Sequence, residues 1–384
     1  MKPLNRFLLI FLLTLLLVLL AHFFQPQIIN LFQPDNLAQV NLTQTRQVDL
    51  VEKKVNGTFN AKLSLPQGME ITVYADGLKD VRFLEFHNNA LYASLPKEGK
   101  IVKLVDNNSD DKIDQVITVA EHLFYPHGIE FYNDKLFVAV QDGVVVLSDL
   151  AENGTFQKQE QIIKDVPIGG DHITRSIRIF KDKIYLSVGS SCNICIDDEK
   201  RAAILRYNLD GSHEEVCASG LRNSVGMTFV NGELFATENG ADLLGDDFPQ
   251  DEINKIECGK DYGWPSCHGN NVEDPKYGEG TCSEKEKPYI SLQAHSAPLG
   301  LRTAPEDFPF QGLFVAYHSS WNRREPTGYK IVRISNFQTE PRVEDFITGW
   351  INGKWGRPVD ITFNDGKMYI SDDEGGRVYV VKAE

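Results

Sequence analysis

The chain has 384 residues, 42% of them hydrophobic and 10% aromatic, enough for a large core in one domain of barrel, solenoid or propeller size. Its formal net charge of −15 argues against a nucleic-acid partner, because phosphate binding needs a basic face. A neutral ligand such as a sugar meets no such barrier, whereas an anionic one needs a local cluster of arginines.

Lys2 and Arg6 precede an apolar run from Phe7 to Phe24. A basic flank ahead of a leucine-rich core reads as an export signal. The run of 18 residues is just long enough to span a bilayer, and no A-x-A cleavage site follows it. An uncleaved signal-anchor over residues 1–24 is therefore preferred to a cleaved peptide. Either way the positive flank stays inside and the body is exported, anchored to the membrane or secreted. Residues 25–60 are polar and aperiodic, and are expected to be a linker.

From residue 61 to 384 one pattern recurs. FLEFHNNALYAS, GIEFYNDKLFVAV, SIRIFKDKIYLSV, GMTFVNGELFAT, FPFQGLFVAY and DITFNDGKMYIS each alternate apolar and polar residues around a turn. Each reads as a β-hairpin. Their second strands begin near Leu91, Leu136, Ile184, Leu234, Leu313 and Met368, most of them about 45 to 55 residues apart. An all-strand repeat of that period predicts a β-propeller. The expected fold is all-β: a six-bladed β-propeller preceded by an N-terminal transmembrane or signal helix.

In such a ring, the segments entering each first strand converge on the central channel. They are Asp80–Arg82, Pro126–Gly128, Asp171–Arg175, Gly220–Asn223, Ala297–Gly300 and Gly356–Asp360, and they carry acids, histidines and arginines. Simple turns would favour Gly, Asn and Ser. GGDHITRSI stands out, because Asp171 and His172 sit side by side where a loop becomes a strand.

The cysteines Cys192, Cys195, Cys217, Cys258, Cys267 and Cys282 are even in number and all lie in the exported part, so disulfides are expected. Cys267–Cys282 would close a short loop. The C-x-x-C at 192–195 lacks the following histidine of a haem site and the second ligand pair of a zinc site. It is expected to be a structural disulfide, within the pair or to a neighbour. DNNSDDKID at 106–114 superficially matches a calcium loop, but Asp111 stands where the glycine belongs and no glutamate closes it. It reads as a solvated turn. Trp264, Trp350 and Trp355 read as blade packing; Trp321, beside His318 and Asn322, is the one placed to meet a sugar.

Several segments resemble the pyrroloquinoline-quinone (PQQ)-dependent soluble glucose dehydrogenase and sorbosone dehydrogenase family, the sorbosone branch most of all. They are GGDHITRSI, SSCNIC, RAAILRYNLDG, GLRNSVGM, ATENGADLLGDD, DEINKIECGKDYGWPSCHG, AHSAPLGL, HSSWNRREPTGYKIVRI and GRPVDITF, and they cover most of residues 165–384. That family is a six-bladed propeller with its cofactor on the channel rim. The resemblance implies oxidation of an aldose or sugar-derived aldehyde, with electrons leaving to a separate acceptor. His172 would take the hydroxyl proton while a hydride passes to the quinone, with Asp171 as its neighbour. Arg222 would stabilise charge on the quinone, and Asn223 would contact it. Gly169 and Gly170 would leave room for the cofactor. Arg357 matches a family arginine that holds the cofactor carboxylates. The second such arginine is Val359 here, and the family's fifth-blade lysine has no counterpart; Arg302, Asn322, Arg323 and Lys330 are the residues available to compensate. Calcium (Ca2+) is the implied second cofactor, at the carbonyls of Gly240 and Ala241, with Glu252 and the Tyr262 carbonyl at a structural site. Asp246 and Asp247 could add to a metal site or cap their loop. Two other classes stay open: a cofactor-free propeller serving as a binding module, and a calcium-dependent lactonase.

Overall fold

Five of the six hairpin turns read from the sequence place two successive residues at positive φ: Asn88-Asn89, Asn133-Asp134, Lys181-Asp182, Asn231-Gly232 and Asp365-Gly366. Two adjacent left-handed residues make the turn whose twist matches the strands it joins, and Asn, Asp and Gly tolerate it best. Lys181 is the odd member, held there by the pairing of Phe180 with Lys183.

The computed structural model describes residues 49–57, 61–151, 154–278, 280, 282–351 and 355–384. The apolar run 7–24, read as a signal-anchor, lies outside the described residues. Among those described, the strands form six blades, mostly antiparallel. Their first strands are Leu84–His87, Ile129–Tyr132, Arg175–Phe180, Met227–Val230, Pro298–Thr303 and Pro358–Asn364. These pack side by side in sequence order, and the sixth returns to the first, which closes the ring. Each second strand is almost wholly buried between neighbouring blades, as in Ala90–Leu95 and Leu313–Tyr317. The predicted six-bladed propeller is therefore present.

Closure uses both ends of the domain. Met69–Ala75 is the outer strand of the sixth blade, antiparallel to Arg377–Ala383, with Met69 opposite Ala383. Pairing the two ends covers a strand edge that would otherwise stay open.

Two expectations are corrected. Leu50–Lys54 falls inside the stretch read as linker, yet it is a strand paired with Lys62–Pro66, and the two extend the fifth blade outward. Its Lys and Glu side chains face solvent, so no apolar alternation announced it. In the fifth blade, FPFQG is not a tight hairpin turn. The strand before Leu313–Tyr317 is Pro298–Thr303, and Phe308 and Phe310 lie in the connection. Those phenylalanines imitate a strand because both pack on Phe346.

A belt of charge ties the inner strands together. Arg178 of the third blade donates to Glu130 of the second (3.0 Å) and to the Met227 carbonyl of the fourth (2.7 Å). Arg302 of the fifth blade donates to Glu85 of the first (2.5 Å) and to the Ile361 carbonyl of the sixth (3.2 Å). Buried guanidinium groups are tolerated only when paired in this way. Arg302, expected at the cofactor, spends its charge here instead.

Candidate active site

The loop before the third blade is held from beneath by Arg175. This buried guanidinium donates to the carbonyls of Pro167 (2.5 Å), His172 (2.9 Å) and Thr174 (2.8 Å). Gly170 has φ +86°, and a Cβ there would lie 2.5 Å from the Ser191 backbone. Its missing side chain thus makes room for Ser191, which corrects the expectation that it makes room for a cofactor. Gly189 plays a similar part for the site: a Cβ there would collide with His172 and the Asn223 amide oxygen.

His172 presents one edge to the protein. Its Nδ1 lies 3.0 Å from the Ser190 carbonyl and 2.9 Å from the Ser190 hydroxyl. That hydroxyl donates its own hydrogen to the Cys192 carbonyl (2.7 Å), so both Ser190 oxygens act as acceptors. The proton of the ring is therefore on Nδ1, and Nε2 is the acceptor nitrogen. Burial, reinforced by the Arg222 guanidinium, pushes the imidazole pKa down to about 3 and keeps it neutral. Asp171 has no part in this. It is exposed, with its backbone N–H donating to the Ser191 carbonyl, so the expected Asp–His partnership is replaced by Ser190.

His172 lines a cavity of about 150 Å³ together with Arg222, Asn223, Gly240, Asp242, Asn322 and Trp321. Arg222 is fully committed. It donates to the Asn193 carbonyl and amide oxygen (3.0 and 2.9 Å), to the Asn239 and Gly240 carbonyls (3.2 and 2.9 Å) and to Asp242 (2.8 Å). Asp242 also accepts from the Asn322 amide (3.0 Å), which ties the fourth and fifth blades across the cavity. The Asn322 Oδ1 is buried and has no partner among the described residues. Trp321 is 71% exposed at the rim, as a platform residue would be. The Asn322 Oδ1 and the His172 Nε2 are both acceptors, so this wall suits a ligand that brings O–H or N–H donors, as a sugar or the pyrrole N–H of PQQ does, beside the Asp242-paired guanidinium of Arg222.

A second, smaller cavity of about 20 Å³ lies behind Arg222. Gly240, Ala241, Glu252 and Tyr262, the four residues expected at metal sites, all line it, with Glu238 and His268. Burial pushes Glu238 up to about 7 and Glu252 well above its usual range, with Asp251 raising both and Glu238 adding to the cost at Glu252. Oxygen-rich surroundings with two buried acids that face no cationic partner closer than Arg222 suit a hard cation such as calcium.

The remaining candidates stand apart from both cavities. Arg357 faces Asp373 (3.4 Å) and Glu374 (3.6 Å). Arg323 pairs with Asp247 and Arg324 with Asp246, so both acids are engaged with the loop of the fifth blade. Lys330 is taken by Asp345. In 106–114, Asp106, Asn108 and Asp110 accept from the N–H groups of Ser109, Asp110 and Lys112, but Asp111 is buried between Lys367 (2.5 Å) and Lys382 (2.6 Å) of the sixth blade, so the loop is anchored there rather than wholly solvated. The cysteines pair as Cys192–Cys195, Cys217–Cys258 and Cys267–Cys282.

A single family model, described as TrAA12-like, matches residues 63–384, the whole propeller. The chain belongs to the TrAA12-like family. A calcium structure of a Trichoderma reesei carbohydrate-active enzyme of family AA12 superposes on this TrAA12-like chain with a TM-score of 0.77 at 19% identity, over 86% of this chain and 99% of that one. The holo form of the PQQ domain of a pyranose dehydrogenase from Coprinopsis cinerea superposes with a TM-score of 0.73 at 19% identity, over 85% and 98%. In sequence, the chain is 34% identical over 301 residues to an uncharacterised protein of Borreliella burgdorferi, covering 70% of this chain and 79% of that one. It is 25% identical over 288 residues to a PQQ-dependent pyranose dehydrogenase of Coprinopsis cinerea, covering 55% of this chain but 39% of that longer protein. These relatives do not single out the sorbosone branch.

Sequence reasoning passed over Ser190, Asn193, Asp242 and Glu238. Asp242 and Glu238 sit inside ATENGADLLGDD, where the Gly240-Ala241 pair drew attention to backbone carbonyls rather than to the flanking acids.

Proposed function

We propose that this protein is an exported quinoprotein dehydrogenase that oxidises an aldose or a sugar-derived aldehyde. The observation that carries the proposal is His172: neutral, with its tautomer fixed, on the wall of a cavity shared with Arg222, Asn223 and Asn322. PQQ, when bound, supplies the two-electron acceptor for the substrate's hydride, and calcium supplies a Lewis acid beside it.

The chain's own residues do the rest. His172 Nε2 accepts the proton of the substrate hydroxyl, or of an aldehyde hydrate, as the neighbouring C–H bond breaks. The ring is kept neutral by burial, so it is ready to accept at ordinary pH. Arg222 is held in place by five acceptor groups and offers fixed positive charge where negative charge develops. Asn223 and Asn322 add amide groups to hold the cofactor. Gly240 and Ala241 would hold the calcium at the quinone through their carbonyls, and Glu252 and the Tyr262 carbonyl would hold a structural calcium. Trp321 offers an apolar face to the sugar ring. Three disulfides and the basic-flanked run 7–24 support export to an oxidising compartment, with the run as membrane anchor.

The test is direct. The purified protein is titrated with PQQ and calcium, and reduction of an artificial dye is followed with a panel of aldoses and sugar aldehydes. Saturable quinone binding with sugar-dependent dye reduction is expected. Absence of both would overturn the assignment; hydrolysis of a lactone with calcium alone would favour a lactonase, and sugar binding without turnover a recognition module.

A further inference from the structure

The Cys192–Cys195 disulfide closes a ring of four residues beside the cavity. We propose that this ring is a positioning device that sets both His172 and Arg222, with Asn193 and Ser190 as its two points of contact. The inference rests on the dehydrogenase assignment for its catalytic consequence.

Asn193, inside the ring, makes five hydrogen bonds. Its carbonyl accepts from Arg222 Nε (3.0 Å) and Trp264 Nε1 (3.1 Å). Its amide oxygen accepts from Arg222 Nη2 (2.9 Å) and from the Asp242 N–H (2.8 Å), and its amide nitrogen donates to the Asp242 carbonyl (2.9 Å). Two of these bonds fix the fork of Arg222, and two more fix the Asp242 backbone whose carboxylate holds the same fork. On the other side, the Cys192 carbonyl takes the Ser190 hydroxyl hydrogen, which leaves Ser190 free to accept from His172 Nδ1. One covalent ring thus aims the cation and orients the hydroxyl that, beside the Ser190 carbonyl, holds the base.

The ring is poorly suited to bracing the fold. Disulfide stabilisation grows with the length of loop closed. Cys217–Cys258 spans 41 residues and Cys267–Cys282 spans 15, whereas this one spans 3. The shortest loop is the one joined to the site. Asn193 and Ser190 are positioning residues, since neither is required to touch the substrate.

The test compares Asn193→Ala, which keeps the disulfide, with the double variant Cys192→Ser/Cys195→Ser, in full-length protein loaded with PQQ and calcium. Both are expected to lose about tenfold or more in kcat, the cost of a misplaced catalytic group, while KM stays within about twofold. Melting temperature stays close to wild type in the double variant and falls in Asn193→Ala, which leaves an Arg222 N–H and the Asp242 N–H unpaired, so turnover is read well below both melting temperatures. A second readout needs no cofactor: in apo protein labelled with 15N-arginine, the Arg222 Nε–H should exchange slowly with water in wild type and faster in the double variant. Wild-type turnover with both variants within about twofold of it overturns the proposal. If wild type itself neither binds quinone nor turns over, the dehydrogenase assignment fails separately. The exchange rates then decide: faster Nε–H exchange in the double variant upholds the clamp, and an unchanged rate overturns it.

Discussion

Ser190 offers two oxygens to a single nitrogen of His172, its carbonyl at 3.0 Å and its hydroxyl at 2.9 Å. A carbonyl cannot donate, and the hydroxyl has already given its hydrogen to Cys192, so the ring nitrogen has to be the donor. The opposite nitrogen is then a lone pair on the cavity wall. His172→Ala should abolish turnover, with a loss on the order of 10²–10⁴ in kcat. The fold should survive, because the loop is held by Arg175 and by backbone bonds to Ser190 and Ser191. Dye reduction together with circular dichroism checks this; near-normal turnover would remove His172 from the mechanism.

The pH dependence follows from the same burial. The imidazole titrates near 6.5 in an unfolded chain and at about 3 in the folded protein. Its catalytic form is the neutral one, so the acid limb of kcat/KM should lie well below 6.5. A profile measured between about pH 4 and pH 8 would show it, and a limb at the ordinary histidine value would mean the ring is open to water. The stability sign is separate. Below 6.5 the unfolded chain takes up a proton that the folded one refuses. This contribution to stability is intact above 6.5 and is lost progressively as pH falls toward 3.

Much of the propeller was legible because type I′ turn chemistry and strand alternation are local. Asn88-Asn89 or Asp365-Gly366 announces a hairpin without help from the rest of the chain. The fifth blade broke the pattern, since its first two strands are joined by a longer connection in which Phe308 and Phe310 alternate for packing reasons. Strand Leu50–Lys54 was invisible because an outer-edge strand with solvated side chains carries no apolar period. At the site, residues bearing obvious chemistry were found, namely His172, Arg222 and Glu252. Their supports were not. Ser190 and Asn193 act through a carbonyl, a hydroxyl and an amide, and only the meeting of distant loops gives such groups a role. Asp171 misled for the converse reason: it sits exposed at a bend ahead of the strand, and adjacency in sequence did not bring its carboxylate to the ring of His172.

Arg302 separates fold from function. Its guanidinium pairs with Glu85 at 2.5 Å and reaches the Leu84 and Ile361 carbonyls, joining blades one, five and six. Arg302→Ala would leave Glu85 without its partner, and breaking a buried pair costs about 3–5 kcal/mol. Chemical denaturation should register that loss. Quinone affinity of the folded fraction should match wild type, because Arg302 lies on neither cavity. A specific loss of affinity with unchanged stability would return the residue to the cofactor site.

Calcium should act as a structural ligand through the smaller cavity. Glu238 and Glu252 both line it and are buried, and the charge of Glu238 adds to the cost of ionising Glu252. A divalent cation that binds the folded chain and not the unfolded one stabilises it by about 2.7 kcal/mol at a hundredfold excess over its dissociation constant. Adding calcium to chelator-treated protein should therefore raise its melting temperature in proportion to the logarithm of calcium concentration. Glu252→Gln keeps the size and the Asn254 contact but halves the charge of the Glu238–Glu252 pair, so it should blunt the calcium-dependent rise. In calcium-free buffer its stability should stay close to wild type, because burial already favours the neutral form of the Glu252 carboxyl there. His172→Ala, on the other cavity, should leave the calcium response as it is. A calcium response equal in wild type and Glu252→Gln would place the ion elsewhere, and no response in wild type would remove calcium from the cavity altogether.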